Sequence, residues 1–434
     1  MNSTSRRLRR ISRRRFLATL ATGGAATVSA PYVSFGSISH FVSFDREIEA
    51  FMSARKFPGG ALAVVKDRRL VYARGYGLAD REGRALAWPT SLFRIASISK
   101  PITAVTVLKL VEQGKLNLDT RVWTLLELAA LVPGGKKADE RWKQITIRHL
   151  LQHTGGWDRD KSFDPMFRAR VIAKDLGVSS PPGPRDIIRY MLGQPLDFDP
   201  GARYAYSNFG YCILGRVIEK ISGDHYDRFV QRSVLAPIGI TRMRLGHSLA
   251  GERANDEVHY YTADDDPAES VFDRKRGKVP WPYGGFCLEA MDAHGGWLAS
   301  AVDLARFAAA LDDPQRSPLL KPETIRLMYA PPDAPVSRND DGSLKDVHYG
   351  CGWLVRRVRG EQRANFWHTG SLPGTSTLLV RRWDGLSWAV LFNQRSEDKN
   401  LPDSAIDPAL HRAADAVKEW PAEDLFPQYQ QRPA

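Results

Sequence analysis

Apolar residues alternate with period two near both ends of this chain, and between the ends they recur with helical spacing. "GGALAVVKDRRLVYARGYG" reads as two strands around the polar turn Lys66-Asp67-Arg68, and the next clear strands, "GCGWLVRRV", "RANFWHTG", "TSTLLVRRW" and "SWAVLFNQ", begin only at Gly350. From about 120 to 290 the pattern is helices separated by Pro/Gly loops, with "ITIRHLLQHTGG" and "SNFGYCILGRVIEKISG" the clearest. Strands this far apart must build one sheet from distant segments, interrupted by a helical insert. The expected fold class is therefore α+β: a sheet flanked by helices over about 40–115 and 290–420, with an all-helical insert over about 116–289 and a tail over 421–434. The flanking helices are "FDREIEAFMSARK", "ITAVTVLKLVEQG" stopping at Gly114, "GGWLASAVDLARFAAAL" with Ser300 and Asp303 spaced as a capping box, and "DPALHRAADAVKEW". No internal repeat is present.

Residues 1–36 read as a targeting signal rather than as part of the fold. Seven arginines and no acid precede an Ala/Thr/Gly-rich stretch, and Ser12-Arg13-Arg14-Arg15-Phe16-Leu17 resembles the twin-arginine export pattern. Export by that route to the periplasm or the medium is expected, with a cut after Ala30 or after Gly36. Those arginines supply seven of the chain's +13 formal charges. What remains is mild for some 400 residues and excludes a dedicated nucleic-acid binder. No later stretch is apolar for about 18 residues, so no stable membrane span is expected in the body. Cys212, Cys287 and Cys351 are far apart, odd in number and without metal spacing, and read as small core residues.

The stretch "RIASISKP" carries the chemistry. If a helix starts at Ser97, Ser97 and Lys100 share one face, one turn apart. A helix's first amides are unpaired and partly positive, so a serine there can attack a carbonyl while its own N–H holds the oxyanion. The lysine supplies the proton acceptor, provided burial lowers its pKa from about 10.4. Pro101 removes the hydrogen bond to the Ser97 carbonyl and disfavours α conformation at Lys100, which fits only a first turn. S-x-x-K alone is a weak signal, because surface helices carry such pairs by chance.

With "RIASISK", "YSN" and "HTG" in this order, and the flanks "GYGLAD", "LFRIASISKPITA", "ITIRHLLQHTGG", "PGARYAYSNFGYCILG", "GGWLASAVDLARF" and "FWHTGSLPGTST", the chain resembles the serine β-lactamase and penicillin-binding-protein superfamily. It is most similar to the branch of class C β-lactamases, D-peptidases and family VIII carboxylesterases, over nearly the whole mature length. The resemblance implies an α/β/α sandwich with an antiparallel sheet, no cofactor and no metal. It also implies small ester, D-peptide or β-lactam-like substrates, and it leaves oligomeric state open. Carried over residue by residue, Ser97 matches the nucleophile, Lys100 the base or its activator, and Tyr206 the tyrosine of Y-x-N that shares the proton. Asn208 matches the residue that hydrogen-bonds lysine and substrate. His368, Thr369 and Gly370 stand where many members have K-T-G, and Ser371 matches the position whose backbone N–H completes the oxyanion hole. His368 is a departure: it offers no dependable cation at neutral pH, which favours a peptidase or esterase over a specialised β-lactamase. If it did meet a substrate carboxylate as a cation, activity on such substrates would fall between about pH 6 and 8.

Taken singly, these residues have plain structural readings: Tyr206 and Asn208 as a helix-entry turn, His368 as a satisfied strand residue, Thr369-Gly370 as a strand end. Those readings do not explain the order and the flanks. Two further functions fit parts of the sequence. A non-catalytic member would bind cell-wall peptide, although it would usually have lost one of the Ser/Lys/Tyr set. A zinc hydrolase would use His149 and His153, spaced i, i+4 in "HLLQH", but the glutamate of H-E-x-x-H is missing. The G-x-S-x-G elbow is absent, against an α/β-hydrolase.

Overall fold

The computed structural model of the protein describes residues 34–35, 41–263, 266–358 and 363–429. The arginine-rich segment expected to be a signal lies outside the described residues, apart from Ser34 and Phe35. Among the described residues the main sheet has nine strands. In sequence they are β1 (Ser34–Phe35), β2 (Gly59–Lys66), β3 (Arg69–Asp80), β4 (Ala85–Leu86), then β10 (Val347–Tyr349), β11 (Leu354–Arg357), β12 (Ala364–Leu372), β13 (Thr375–Arg381) and β14 (Leu386–Phe392). Their spatial order is β1-β3-β2-β14-β13-β12-β11-β10, with β4 on β3, and every pairing is antiparallel. The junction β2·β14 joins the two ends of the chain, with Ala63 opposite Ala389.

Helices cover both faces, and side-chain parity on the central strands shows it. Leu62, Val64, Trp388 and Val390 pack with Phe44 and Ile48 of α1 (Val42–Arg55) and Leu410 and Ala413 of α6 (Ile406–Asp415). Ala61, Ala63, Ala389 and Leu391 point the other way, into the larger core with α2 (Ser99–Glu112) and α5 (Ala301–Ala309). β2, β13 and β14 are buried on both sides, so the period-two alternation expected of them gives way to strands with nearly every residue inside. Ser300 and Asp303 do form the capping box of α5. The three cysteines are buried and free.

Three boundaries differ from expectation. The insert is not all helical: it holds β6 (Arg244–Leu245) and a hairpin of β7 (Pro267–Glu269) with β8 (Lys278–Pro280). Through β6 it joins a second small sheet, β5-β9-β6, with β5 (Phe93–Arg94) and β9 (Trp297–Ala299) taken from either side of the insert. Apolar periodicity over two or three residues cannot signal such strands. The segment set apart as a tail packs on the fold as far as it is described: Leu425 and Phe426 are buried, and the Leu425 N–H donates to the Leu70 carbonyl at 2.8 Å. Ser34 and Phe35, expected within the signal, pair with Arg74 and Ala73 of β3. Among the described residues no helix is long and apolar enough to cross a membrane.

One feature of the sheet prepares a cleft. β11 pairs with β12 only as far as Leu354 opposite Trp367, so from His368 onward that edge of β12 has no strand beside it. A 3₁₀ turn, Ala96–Ile98, lies there instead, close enough that a Cβ on Gly370 would overlap the Ile95 carbonyl oxygen and Thr377 Oγ1 and sit 3.2 Å from the Ala96 Cβ. Gly370→Ala should therefore cost about 1–3 kcal/mol of stability, as small-to-large changes in packed interiors do. The shift in denaturation midpoint measures it, and an unchanged midpoint would show that strand and turn can separate.

Candidate active site

Ser97 lies in the 3₁₀ turn, and the α-helix proper, α2, begins two residues later at Ser99, so the helix start expected at Ser97 is split between a tighter turn and the helix. The turn is strained. Ala96 has φ 47°, a conformation that costs a non-glycine residue about 1 kcal/mol or more. The surroundings hold it: Thr377 Oγ1 donates to the Ile95 carbonyl at 3.1 Å, and Thr375 Oγ1 donates to the Arg94 carbonyl at 2.9 Å. Arg94 in turn is buried, donating to the carbonyls of Pro282 at 2.6 Å and His247 at 2.8 Å. Strand β13 and the insert thus grip the two residues that precede the turn.

Four of the sequence-predicted residues converge here. Lys100 Nζ lies 2.9 Å from Ser97 Oγ, 2.8 Å from Asn208 Oδ1 and 3.0 Å from the His294 carbonyl oxygen. The Ser97 hydroxyl also acts on the phenol of Tyr206, favouring its ionised form, and the Tyr206 ring centre is 4.8 Å from Lys100 Nζ. Asn208 opens α4 (Asn208–Ser222), and Ser207 caps that helix by accepting from the Gly210 N–H, so the "YSN" turn delivers phenol and amide together. Its other amide end is fixed: Asn208 Nδ2 donates to Asp164 Oδ2 at 2.6 Å.

That bond decides what Lys100 can do. With Nδ2 committed to Asp164, Asn208 Oδ1 can only accept, and so can the His294 carbonyl. A neutral Lys100 amine has two hydrogens, one for each, and its lone pair is left facing Ser97. Lys100 is wholly buried, and desolvation holds its pKa well below the ordinary lysine value, opposed by the Asp164 carboxylate and assisted by Arg159. Burial also pushes the Tyr206 phenol up, while the Ser97 hydrogen bond and Arg159 pull it down. Burial raises Asp164, against the Asn208 hydrogen bond. The phenol therefore keeps its proton, and the neutral Lys100 amine is the group placed to take one from Ser97.

His368 is not the cleft-facing cation that its position in "HTG" allowed. It is 2% exposed. Nδ1 lies 2.6 Å from the Thr369 carbonyl, which can only accept, so Nδ1 carries the hydrogen and Nε2 accepts from Tyr349 Oη at 2.9 Å. Desolvation, then the Lys100 charge, lowers its pKa to about 3, and it stays neutral at any physiological pH. Strand parity explains this, because His368, Gly370 and Leu372 face inward while Thr369 and Ser371 are exposed along the cleft edge.

The histidine pair of "HLLQH" does not share a face. The helix there, α3 (Ile147–Leu151), lasts five residues; His149 Nδ1 accepts from the Thr146 N–H in a capping box. His153 lies past its end with φ 58°, its Nδ1 accepting from the Ser207 N–H at 3.2 Å and its ring 4.4 Å from that of Tyr206. Among the described residues, the sets of three side chains placed to share a metal are Asp80, Glu82, His259 and His247, Glu252, Glu289. Neither contains His149 or His153, so the zinc reading loses its ligands.

Sequence reasoning missed Asp164, Arg159, Tyr349 and the His294 carbonyl. Asp164 and Arg159 come from a loop whose course no local periodicity encodes. His294 acts through its backbone, which leaves no side-chain signal.

The comparisons agree with this architecture. The Beta-lactamase family pattern matches residues 44–411. The chain is 26% identical over 367 residues to "Penicillin-binding protein 4*" of Bacillus subtilis, covering 84% of this chain and 74% of that protein. To "Esterase EstB" of Burkholderia gladioli it is 29% identical over 348 residues, covering 76% and 82%. The solved octameric penicillin-binding protein homologue from Pyrococcus abyssi superposes with a TM-score of 0.65 at 25% identity, covering 88% of this chain and 78% of that one. An antiparallel sheet between helices, a serine on a strained turn with the lysine of the following helix 2.9 Å away, and a match across most of the length place this chain in the Beta-lactamase family of serine hydrolases.

Proposed function

We propose that the protein is exported and hydrolyses ester or amide substrates, D-peptides and β-lactam-like amides included, through an acyl-enzyme on Ser97. The observation that carries this is the Lys100 hydrogen-bond set: with two acceptor-only partners, the neutral amine presents its lone pair to Ser97 Oγ. In this reading the Ser97 oxygen attacks the substrate carbonyl as its proton passes to the Lys100–Tyr206 pair. The backbone N–H groups of Ser97 and Ser371 hold the oxyanion, worth about 10²–10³ in turnover for each donor. Tyr206 returns the proton to the leaving group. Thr369 and Ser371, exposed along the edge of β12, line the substrate path, with Gly370 allowing strand and turn to meet and Asn208 serving both lysine and substrate. A penicillin-binding protein and an esterase among the relatives support both amide-like and ester donors. The arginine-rich leader supports the twin-arginine route, and a cut after Ala30 would keep β1, whereas one after Gly36 would remove it.

Intact-mass measurement should show wild-type protein taking a single adduct from a fluorophosphonate, a p-nitrophenyl ester or a β-lactam, and Ser97→Ala taking none. Wild type that takes none from any of the three sinks the proposal. Tyr206→Phe should lower kcat/KM by about 10²–10⁴, the usual range for a lost general acid–base group.

The Asp164 carboxylate raises the Lys100 pKa against desolvation. Asp164→Asn removes that charge, so Lys100 should lose its proton at lower pH and the acidic limb of the kcat/KM profile should move down. An unmoved limb would leave Asp164 with only its hydrogen bond to Asn208.

A further inference from the structure

We infer that Arg159 is the cation this site presents to its substrate, and that the preferred acyl donors carry a carboxylate held by its guanidinium. The inference rests on the Ser97 acyl-enzyme reading and adds a substrate class to it. His368 is buried with both ring nitrogens engaged, and Lys100 has spent its contacts on Ser97, Asn208 and His294. Neither can receive an incoming anion. Arg159 can. Its guanidinium lies 4.8 Å from the centre of the Tyr206 ring, and its side chain is 43% exposed. Its positive charge pulls on Tyr206, Tyr204, Lys100, His153 and Asp164, so it faces the reacting groups.

The loop that carries it is tied down before any substrate arrives. Asp158 accepts from the N–H groups of Asp160 at 3.1 Å and Lys161 at 3.3 Å, and from Arg203 at 2.8 Å. The Asp158 N–H donates to Asp197 at 2.8 Å, and Ser162 Oγ donates to Asp197 at 2.9 Å. Arg203 is thereby occupied, stacked on Phe198 and paired with Asp158. Arg159 has a looser neighbour, Asp160 at 3.6 Å with an 89% exposed side chain. Such a solvated pair is weak, and a substrate carboxylate meeting the planar fork with two parallel hydrogen bonds displaces it.

The test uses matched ester pairs that differ in one carboxylate: p-nitrophenyl butyrate against mono-p-nitrophenyl succinate for the acyl side, and phenyl acetate against 3-acetoxybenzoate for the leaving group. In at least one pair, Arg159→Gln should lower kcat/KM for the anionic member about 10- to 100-fold more than for the neutral member. Arg159→Lys should recover part of that difference, since it keeps the charge and loses the fork. The wild-type preference should stay level between pH 6 and 8, because His368 is buried with both ring nitrogens engaged and takes no part in it. Equal losses on both members of both pairs would overturn the inference and leave Arg159 acting through the Tyr206 phenol; no loss on either would overturn it outright. Absence of any Ser97 adduct in wild type is the separate failure of the acyl-enzyme reading.

Discussion

The rest of the site depends on one buried nitrogen. Lys100 Nζ has no access to water, and its three neighbours are a hydroxyl, an amide oxygen and a backbone carbonyl. An ammonium there pays a desolvation cost that three hydrogen bonds and a carboxylate one residue removed only partly offset. The outcome is a lysine whose proton is easily lost, and whose lone-pair direction is set by partners that cannot donate. Remove the Asp164–Asn208 bond and the amide could turn, offering Lys100 an N–H instead of an oxygen. The direction of the lone pair is therefore decided two bonds away from the serine.

Geometry at the serine has a comparable origin. Ala96 occupies a left-handed backbone conformation, which a short turn between a two-residue strand and a helix would ordinarily relax. It cannot relax, because Thr375 and Thr377 of β13 hold the carbonyls of Arg94 and Ile95 and Gly370 of β12 presses against the turn. Strain at the nucleophile is thus maintained by the C-terminal half of a sheet whose N-terminal half lies some 300 residues earlier in the sequence. Without the β2·β14 junction the two halves would have no common frame.

Much of this was legible in the sequence, and the limits are physical. Strands rich in Val, Leu and Trp announced themselves, as did caps such as Ser300 with Asp303, because each rests on local chemistry. Ser97, Lys100, Tyr206 and Asn208 are marked by motif order, and the structure brings Lys100 within bonding distance of Ser97 and Asn208 with the Tyr206 ring beside it. Strands of two or three residues, such as Arg244–Leu245, carry no period, so the insert read as purely helical. "HLLQH" kept helical spacing in its letters, but His153 already lies beyond the last turn. The side of β12 on which His368 falls could not be fixed from "HTG" alone, since a shift of one residue exchanges cleft and core.

That last point carries the electrostatics of the cleft. A lysine on the inward side of β12 would have to be desolvated or to snorkel outward along the strand. Histidine needs neither, because it can be neutral, and here the Thr369 carbonyl and the Tyr349 phenol fix its tautomer and close its hydrogen bonding. Placing a neutral ring beside Lys100 also spares that lysine a second cation, which would lower its pKa further and strain the charge balance of Lys100 against Asp164. A cation meant for the substrate stands farther out, half-exposed on a long arm, where it acts on Lys100 only as the last of the causes that lower its pKa. The tied loop at Asp158–Ser162 provides that station, so moving the positive charge from strand to loop separates proton transfer at Ser97 from recognition at the mouth.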